Sequence, residues 1–304
     1  MNIFWPVYKN LESEFNKLMH YVHVDDSQLK VYSSKIADIL LRSVVEIESI
    51  SKELYSKNGG TKTDHIKYVE DAIKHLIKIW AIDKKLVIIT SSNCFLSKTE
   101  LFPFIKNTTR TGKRTKTYSW NNAYQDIKHD RGKYFAQGNI KFLFDGMAAL
   151  YLLNIYYANN SFQLEKDSKG LSISPNLGSD IYSVIISKCS DHDDEGNYIK
   201  GEDFEQSTYF INHTKETSKV FFDSMKEFQN AANELALKHP KTLEYLKTVD
   251  ASKLKGNWLW DALGKDDYVN ILRRAQQQAP IKGEQLQYEA VLNMNQELKA
   301  HNKT

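Results

Sequence analysis

Apolar residues recur at helical spacing over two long stretches in the first third of the chain. In "VYSSKIADILLRSVVEIESISKELY", Val31 to Tyr55, the residues Ile36, Ile39, Leu40, Val44, Ile47 and Leu54 share one stripe, and "SKNGG" follows as a stop. In "DHIKYVEDAIKHLIKIWAI" a second stripe of Ile66, Val69, Ile73, Leu76, Ile77 and Trp80 begins at Asp64, read as its cap. The pattern predicts two helices paired antiparallel across Gly59-Gly60. A β-branched run, "KKLVIITSSNCFL", then predicts a short strand, and "FPFIKNTTRTGKRTKTYSW" a basic loop.

A helix is expected from about Ser119, and after Gly132 another through "NIKFLFDGMAALYLLNIYYAN", apolar enough to lie deep in a core. From Leu171 the character changes. "SDIYSVIISKCS" and "STYFINHT" favour strands around an acidic connection, which reads as a hairpin insertion. Helical periodicity returns in "TKETSKVFFDSMKEFQNAANELALKHP" and stops at Pro240, with shorter helices expected through "NWLWDALGKDDYVNILRRAQQ" and the C-terminal segment. The predicted fold class is mainly α: an antiparallel helical bundle with a small β-hairpin insertion and additional C-terminal helices. Its expected divisions are an N-terminal helix or lead-in over 1–27, a helical core over 28–170, the insertion over 171–213 and a C-terminal helical region over 214–304.

Composition narrows the function classes. With 304 residues, 41% hydrophobic and 12% aromatic, the chain can bury a real core. A net charge of +3 leaves room only for a local nucleic-acid site. Cys94 and Cys189 lie far apart without CxxC spacing, which argues against a zinc ribbon or a disulfide scaffold and fits a reducing cytoplasm. The longest apolar run carries Lys141, Asp145 and Asn154, so no membrane span is expected, and the first residues do not read as a secretion signal.

The densest chemistry lies in "NNAYQDIKHDRGKYFAQGN". On a helix Asn122, Asp126 and His129 form one line, with Gln125 beside it, while Trp120, Tyr124, Ile127 and Arg131 fall on a face that can enter the core. Lys128 and Arg131 adjoin His129, and Gly132 can unwind the last turn enough to bring Arg131 round. Upstream, Lys106, Arg110, Lys113, Arg114 and Lys116 stand among threonines in a stretch suited to gripping phosphates, with Tyr118 and Trp120 available to stack on a base. A solvated basic loop is the plainer reading of the same residues, as a helix-terminal histidine is for His129.

A helix with a near-terminal His, preceded by a tight helix pair and followed by a very apolar helix, resembles the HEPN superfamily of small helical domains over about Val31 to Asn160. The resemblance implies a metal-independent endoribonuclease of toxin or phage-defence systems, with no cofactor, acting on RNA as a homodimer or beside a defence-system protein partner. His129 matches that family's His. Its Arg position falls on Asn122 or its neighbours, none of which is Arg. Arg42, with Glu46 one turn on, and Arg131 are the substitute cations, unless Arg42 and Glu46 form only an i,i+4 ion pair. The alternative function is a non-catalytic helical scaffold that acts as a regulatory partner.

Two metal-like patterns complete the inventory. "DHDDEGNYIKGE", Asp191 to Glu202, has the count of a calcium loop but strand-like flanks, so a solvated hairpin tip is expected. His20 and His23 in "HYVHVDD" lack a further ligand cluster, and no metal is expected there.

Overall fold

The computed structural model describes residues 2–109, 116–164, 173–188, 191–192, 198–249, 258–282 and 287–295. The described chain is mainly helical with several small sheets. Two compact units are present: one gathers the chain as far as Leu164, the stretch up to Asn212 and the returning segment from Glu289, and the other is His213–Tyr288.

In the first unit α1 spans Phe4–Tyr21 and α2 spans Ser34–Lys57, where Ser33 accepts from the Ile36 amide as an N-cap. A π-helical turn, Tyr68–Ile73, runs into α3, Lys74–Trp80. Then come α4, Ser119–His129, α5, Arg131–Tyr134, and α6, Ile140–Ala158, the last capped by Asn139 accepting from Phe142 N. Helix α6 is apolar on nearly every face because it is surrounded, and fourteen of its residues are buried.

Helix directions follow from which residues meet. Phe4 packs on Tyr157, Tyr8 on Tyr151 and Phe15 on Phe144, with ring centroids 5.0, 5.8 and 4.8 Å apart, so α1 descends as α6 climbs. Against α2 the numbers rise together. Ser43 Oγ donates to Met147 Sδ at 3.1 Å and Tyr157 Oη to Glu53 at 2.6 Å, so α2 and α6 run parallel. Helix α4 runs back down: Ser119 Oγ donates to Asp145, and past its end Ile140 N donates to Val31 O beside the start of α2.

The second predicted helix is present but starts later and points the other way. Residues 58–67 form a returning loop, held where Lys62 N donates to Tyr55 Oη at 2.9 Å. Asp64 caps nothing; Asp71 instead accepts from Lys67 N at 2.8 Å and pairs with Lys62 at 2.5 Å. Tyr68 meets Asn121 of α4, and His75 Nε2 bonds Asn58 O at the top of α2, so this element climbs in the same sense as α2. An antiparallel pair needs a tight turn, and the returning loop removes it.

The strands also depart from a single hairpin. Val87–Ile89 lies antiparallel between Glu100–Leu101 and Tyr182–Val184. A four-stranded sheet is ordered Phe162–Leu164, Tyr288–Leu292, Tyr209–His213, Ile186–Lys188, and its last two strands pair parallel, with Tyr209 opposite Ile186. The C-terminal segment expected as helix therefore supplies a strand. Its "YEAVL" alternation lets Ala290 and Leu292 face the core. Only Asp191–His192 and Tyr198–Ile199 form a small antiparallel pair at the acidic segment.

A buried carboxylate ties α1 to the turn before Tyr182. Glu12 Oε1 accepts from Tyr8 Oη at 2.7 Å, from the amides of Asp180 and Ile181 at 3.1 and 3.3 Å, and from Ser179 Oγ, while Lys9 pairs with Oε2 at 2.5 Å.

The second unit is helical: α7, Lys215–Leu237, α8, Pro240–Thr248, α9, Trp258–Leu263, and α10, Lys265–Gln278. Pro240 stops one helix and opens the next at its first turn, where its missing N–H costs nothing. Ala236, Leu263 and Ile271 centre a small core with Leu235, Leu259 and Tyr268 around it.

Candidate functional site

Helix α4 sits between α2, α6 and the Tyr68 turn, and this position decides the fate of its predicted polar line. Trp120, Tyr124 and Ile127 are buried as expected, but so are Asn122 and Asp126, at 8% and 7% exposure. The Tyr68 turn lies over the neighbouring Asn121 and Gln125: Tyr68 Oη donates to Asn121 Oδ1, and Gln125 Nε2 donates to Tyr68 Oη at 3.4 Å. Asn122 Nδ2 faces Asp126 at 3.4 Å. Neither side chain shares a solvent-facing site with His129, which is exposed at the helix end.

The run from Lys128 to Arg131 is broken by Asp130. Its backbone leaves the helical region, and its carboxylate caps α5 by accepting from Lys133 N at 3.1 Å. Arg131 is thus the first residue of a new helix, exposed and in no ion pair among the described residues; it is not brought round by Gly132. Lys128 turns back over the Tyr124 ring at 5.2 Å, with its ammonium 3.3 Å from that hydroxyl.

Arg42 takes no part here. It pairs with Glu14 of α1 at 2.8 Å and with Asp38 at 3.6 Å, on the side of α2 that meets α1. Glu46 is not its partner, and burial pushes the Glu46 carboxyl above its ordinary range against the Arg42 charge. Arg42 had three carboxylates within reach along α1 and α2, and the choice among them needed the helix packing.

The basic stretch forms an antiparallel hairpin, Thr108–Thr109 with Lys116–Thr117, in place of the expected loop. Arg110, Lys113 and Arg114 lie outside the described residues. Lys116 is exposed, and Lys106 stands 5.4 Å from the Tyr118 ring centroid. Tyr118 and Trp120 are fully buried and stack on each other at 5.5 Å and 4°, so neither is free for a base.

The hairpin borders a cleft of about 570 Å³ that spacing did not reveal. Asn107 and Thr108 line it from the hairpin, Ser119 and Lys141 from α4 and α6, and Asp26, Lys98 and Glu100 from the opposite wall. At its back Asp145 accepts from Ser119 Oγ. Burial raises the Asp145 carboxyl, and the Ser119 hydrogen bond and Lys141 offset part of that rise. Helix α4 opens at this cleft with no side-chain cap, since its N-cap is Tyr118. Ser119 and Asp145 are 26 positions apart, a separation that only the fold closes.

His23 stacks on Phe95 at 4.5 Å and 14°, His20 is exposed, and no group of three or more His, Cys, Asp or Glu able to hold a metal occurs among the described residues. Within the acidic segment, 193–197 lie outside the described residues. No described helix is long and apolar enough to cross a membrane.

In class this is a mainly helical protein with a hairpin-bordered polar cleft. Comparison with family models, curated proteins and solved structures returned no match.

Proposed function

We propose that this chain binds RNA through the hairpin at the head of α4, on a HEPN-like helical core. The observation that supports it is the joining of two features in one place. A basic hairpin carrying Lys106 and Lys116 leads straight into the uncapped N-terminus of α4, beside Lys98 and Lys141. Lysines and free helix-terminal amides both favour a phosphate. Asp26 and Glu100 on the opposite wall and Asp145 at the back repel one from those sides, so the contacts belong to the hairpin side of the cleft.

Salt-dependent RNA binding tests this. Neutralising Lys106, Lys116, Arg110, Lys113 and Arg114 together should flatten the dependence of log affinity on log salt by about three to four units, alike across sequences. A slope that does not move removes the hairpin from the interface.

Cleavage is the second reading, favoured by the exposure of both His129 and Arg131 at one corner after α4. Among the described residues no fixed cation stands against His129, so this reading has a second copy bring one, as in the resembling family, where the His and Arg act on the phosphate without metal. The homodimer and the defence setting rest on the same resemblance. RNA bound but left intact in the presence of a dimer would return the protein to a non-catalytic regulatory partner.

A further inference from the structure

Phosphates held on the hairpin side leave the interior of the α4 cleft to the rest of a nucleotide. Its volume of about 570 Å³ lies within the usual range for small-molecule sites. The lining mixes signs, since Asp26, Glu100 and Asp145 share it with Lys98 and Lys141. A bare anion or cation meets like charge there, whereas a neutral group carrying both donors and an acceptor is matched. Half-buried Phe102 and Ile105, which is 41% exposed, add an apolar wall.

Asp145 has bonding capacity to spare. It is part-buried and lines the cleft, and Ser119 Oγ donates to its Oδ2. Its Oδ1 accepts no hydrogen bond among the described residues, and that atom is not sealed from solvent. A carboxylate offers about four acceptor sites, so one serine leaves places for two further donors. Lys141 precedes Asp145 by one turn of α6, which puts the two on one face, about 6 Å apart along the helix. Lys141 is exposed. An acceptor pair and a donor thus stand side by side at the back of the cleft.

On the RNA reading above, we propose that this cleft reads one base of the bound strand and selects guanine. The guanine N1–H and exocyclic N2–H donate to Asp145, the Lys141 ammonium donates to O6, and the ring lies against Phe102 and Ile105. Single-stranded RNA leaves the Watson–Crick edge of its bases open, and on that edge guanine alone places two N–H donors next to an acceptor. Adenine and cytosine set one amine beside a ring nitrogen that a carboxylate repels. Uracil flanks its single N–H with two carbonyls. Phosphate contacts at the hairpin then position the strand, and the cleft supplies the specificity.

Anisotropy titrations of the full chain with labelled uridine pentamers whose central base is guanine, hypoxanthine or adenine test this. Hypoxanthine is guanine without the 2-amine. The guanine oligomer should bind about tenfold more tightly than the hypoxanthine one, the worth of one hydrogen bond to a charged group, and the adenine oligomer more weakly still. In Asp145→Asn the guanine-to-hypoxanthine ratio should fall below about threefold, whereas a smaller folded fraction lowers both affinities and leaves their ratio in place. Lys141→Gln should narrow the gap between guanine and adenine but keep the guanine-to-hypoxanthine ratio, because both of those bases carry O6. Equal affinity of the wild-type chain for the three oligomers, or an unchanged ratio in Asp145→Asn, overturns the guanine assignment; the RNA reading survives that result if neutralising the hairpin still flattens the salt slope. Absence of binding to every oligomer overturns both.

Discussion

Lys85 shows how one residue can work against the fold that holds it. It is 1% exposed, and its ammonium donates to Glu205 O at 3.1 Å. Burial lowers its pKa to about 8 from 10.5, with the Glu205 carboxylate opposing that shift. Between these two values the unfolded chain binds more protons than the folded one, so stability should rise as pH climbs from about 8 toward 10.5. Below that window the buried charge costs on the order of 3 kcal/mol. Lys85→Met should therefore raise the melting temperature at pH 7, by the equivalent of about 1 to 3 kcal/mol, and flatten the pH dependence above 8. Denaturant melts across pH 7 to 10 would show it; a variant less stable than wild type at pH 7 would mean that the Glu205 contact outweighs the burial cost. Glu12 is the contrasting case, a buried carboxylate surrounded by donors.

Among elements, the parallel pair of α2 and α6 sets the frame, and glycine allows their close approach at its base. A Cβ on Gly138 would lie 2.6 Å from Ala37 Cβ and 3.0 Å from Ala37 Cα, and backbone cannot swing aside. On Gly146 its one tight neighbour would be Leu40 Cδ1 at 3.0 Å, the end of a side chain that can turn, with Trp120 Cβ at an ordinary 3.6 Å. Gly138→Ala should then cost about 2 kcal/mol or more and Gly146→Ala less than about 1. Urea melts of the two variants would rank them, and equal losses would show that the α2 contact does not limit the turn before α6. The same pair explains why α4 is wrapped: α6 and α2 pack against it along its length, the Tyr68 turn meets Asn121 and Gln125, and its two ends, at the cleft and at His129, are left open.

At the scale of the molecule, the two units differ in what they bury. The first encloses α6 and most of the large aromatic side chains, including Tyr8, Trp120, Tyr151 and Tyr156 at 1% exposure or less. The second centres on Ala236, Leu263 and Ile271. Less buried apolar area means a smaller opening free energy, so amides of α7 and α10 should exchange with deuterium well before those of α2 and α6. Equal protection of all four helices would show one cooperative unit where the contacts define two.

Local chemistry was enough to predict the helices themselves. The stripe from Ile36 to Leu54, the uniformly apolar run from Ile140 and the periodicity that stops at Pro240 all act within one or two turns, so α2, α6 and α7 are legible from neighbours in the chain, whereas α8, which Pro240 itself opens, was not expected. Their directions were not. Whether the segment after Gly60 turns tightly or travels back along α2 depends on Lys62, Tyr55 and Asp71 meeting in space, and period 3.6 carries no information about that path. The candidate residues divide in the same way. His129 is exposed and Trp120 buried as their positions imply, yet Asn122 and Asp126 are buried as well, and Arg42 was claimed by α1. The cleft at Ser119 and Asp145 exists only where distant segments converge. A local pattern sets what a residue can do, and tertiary packing decides which partner, and how much water, it meets.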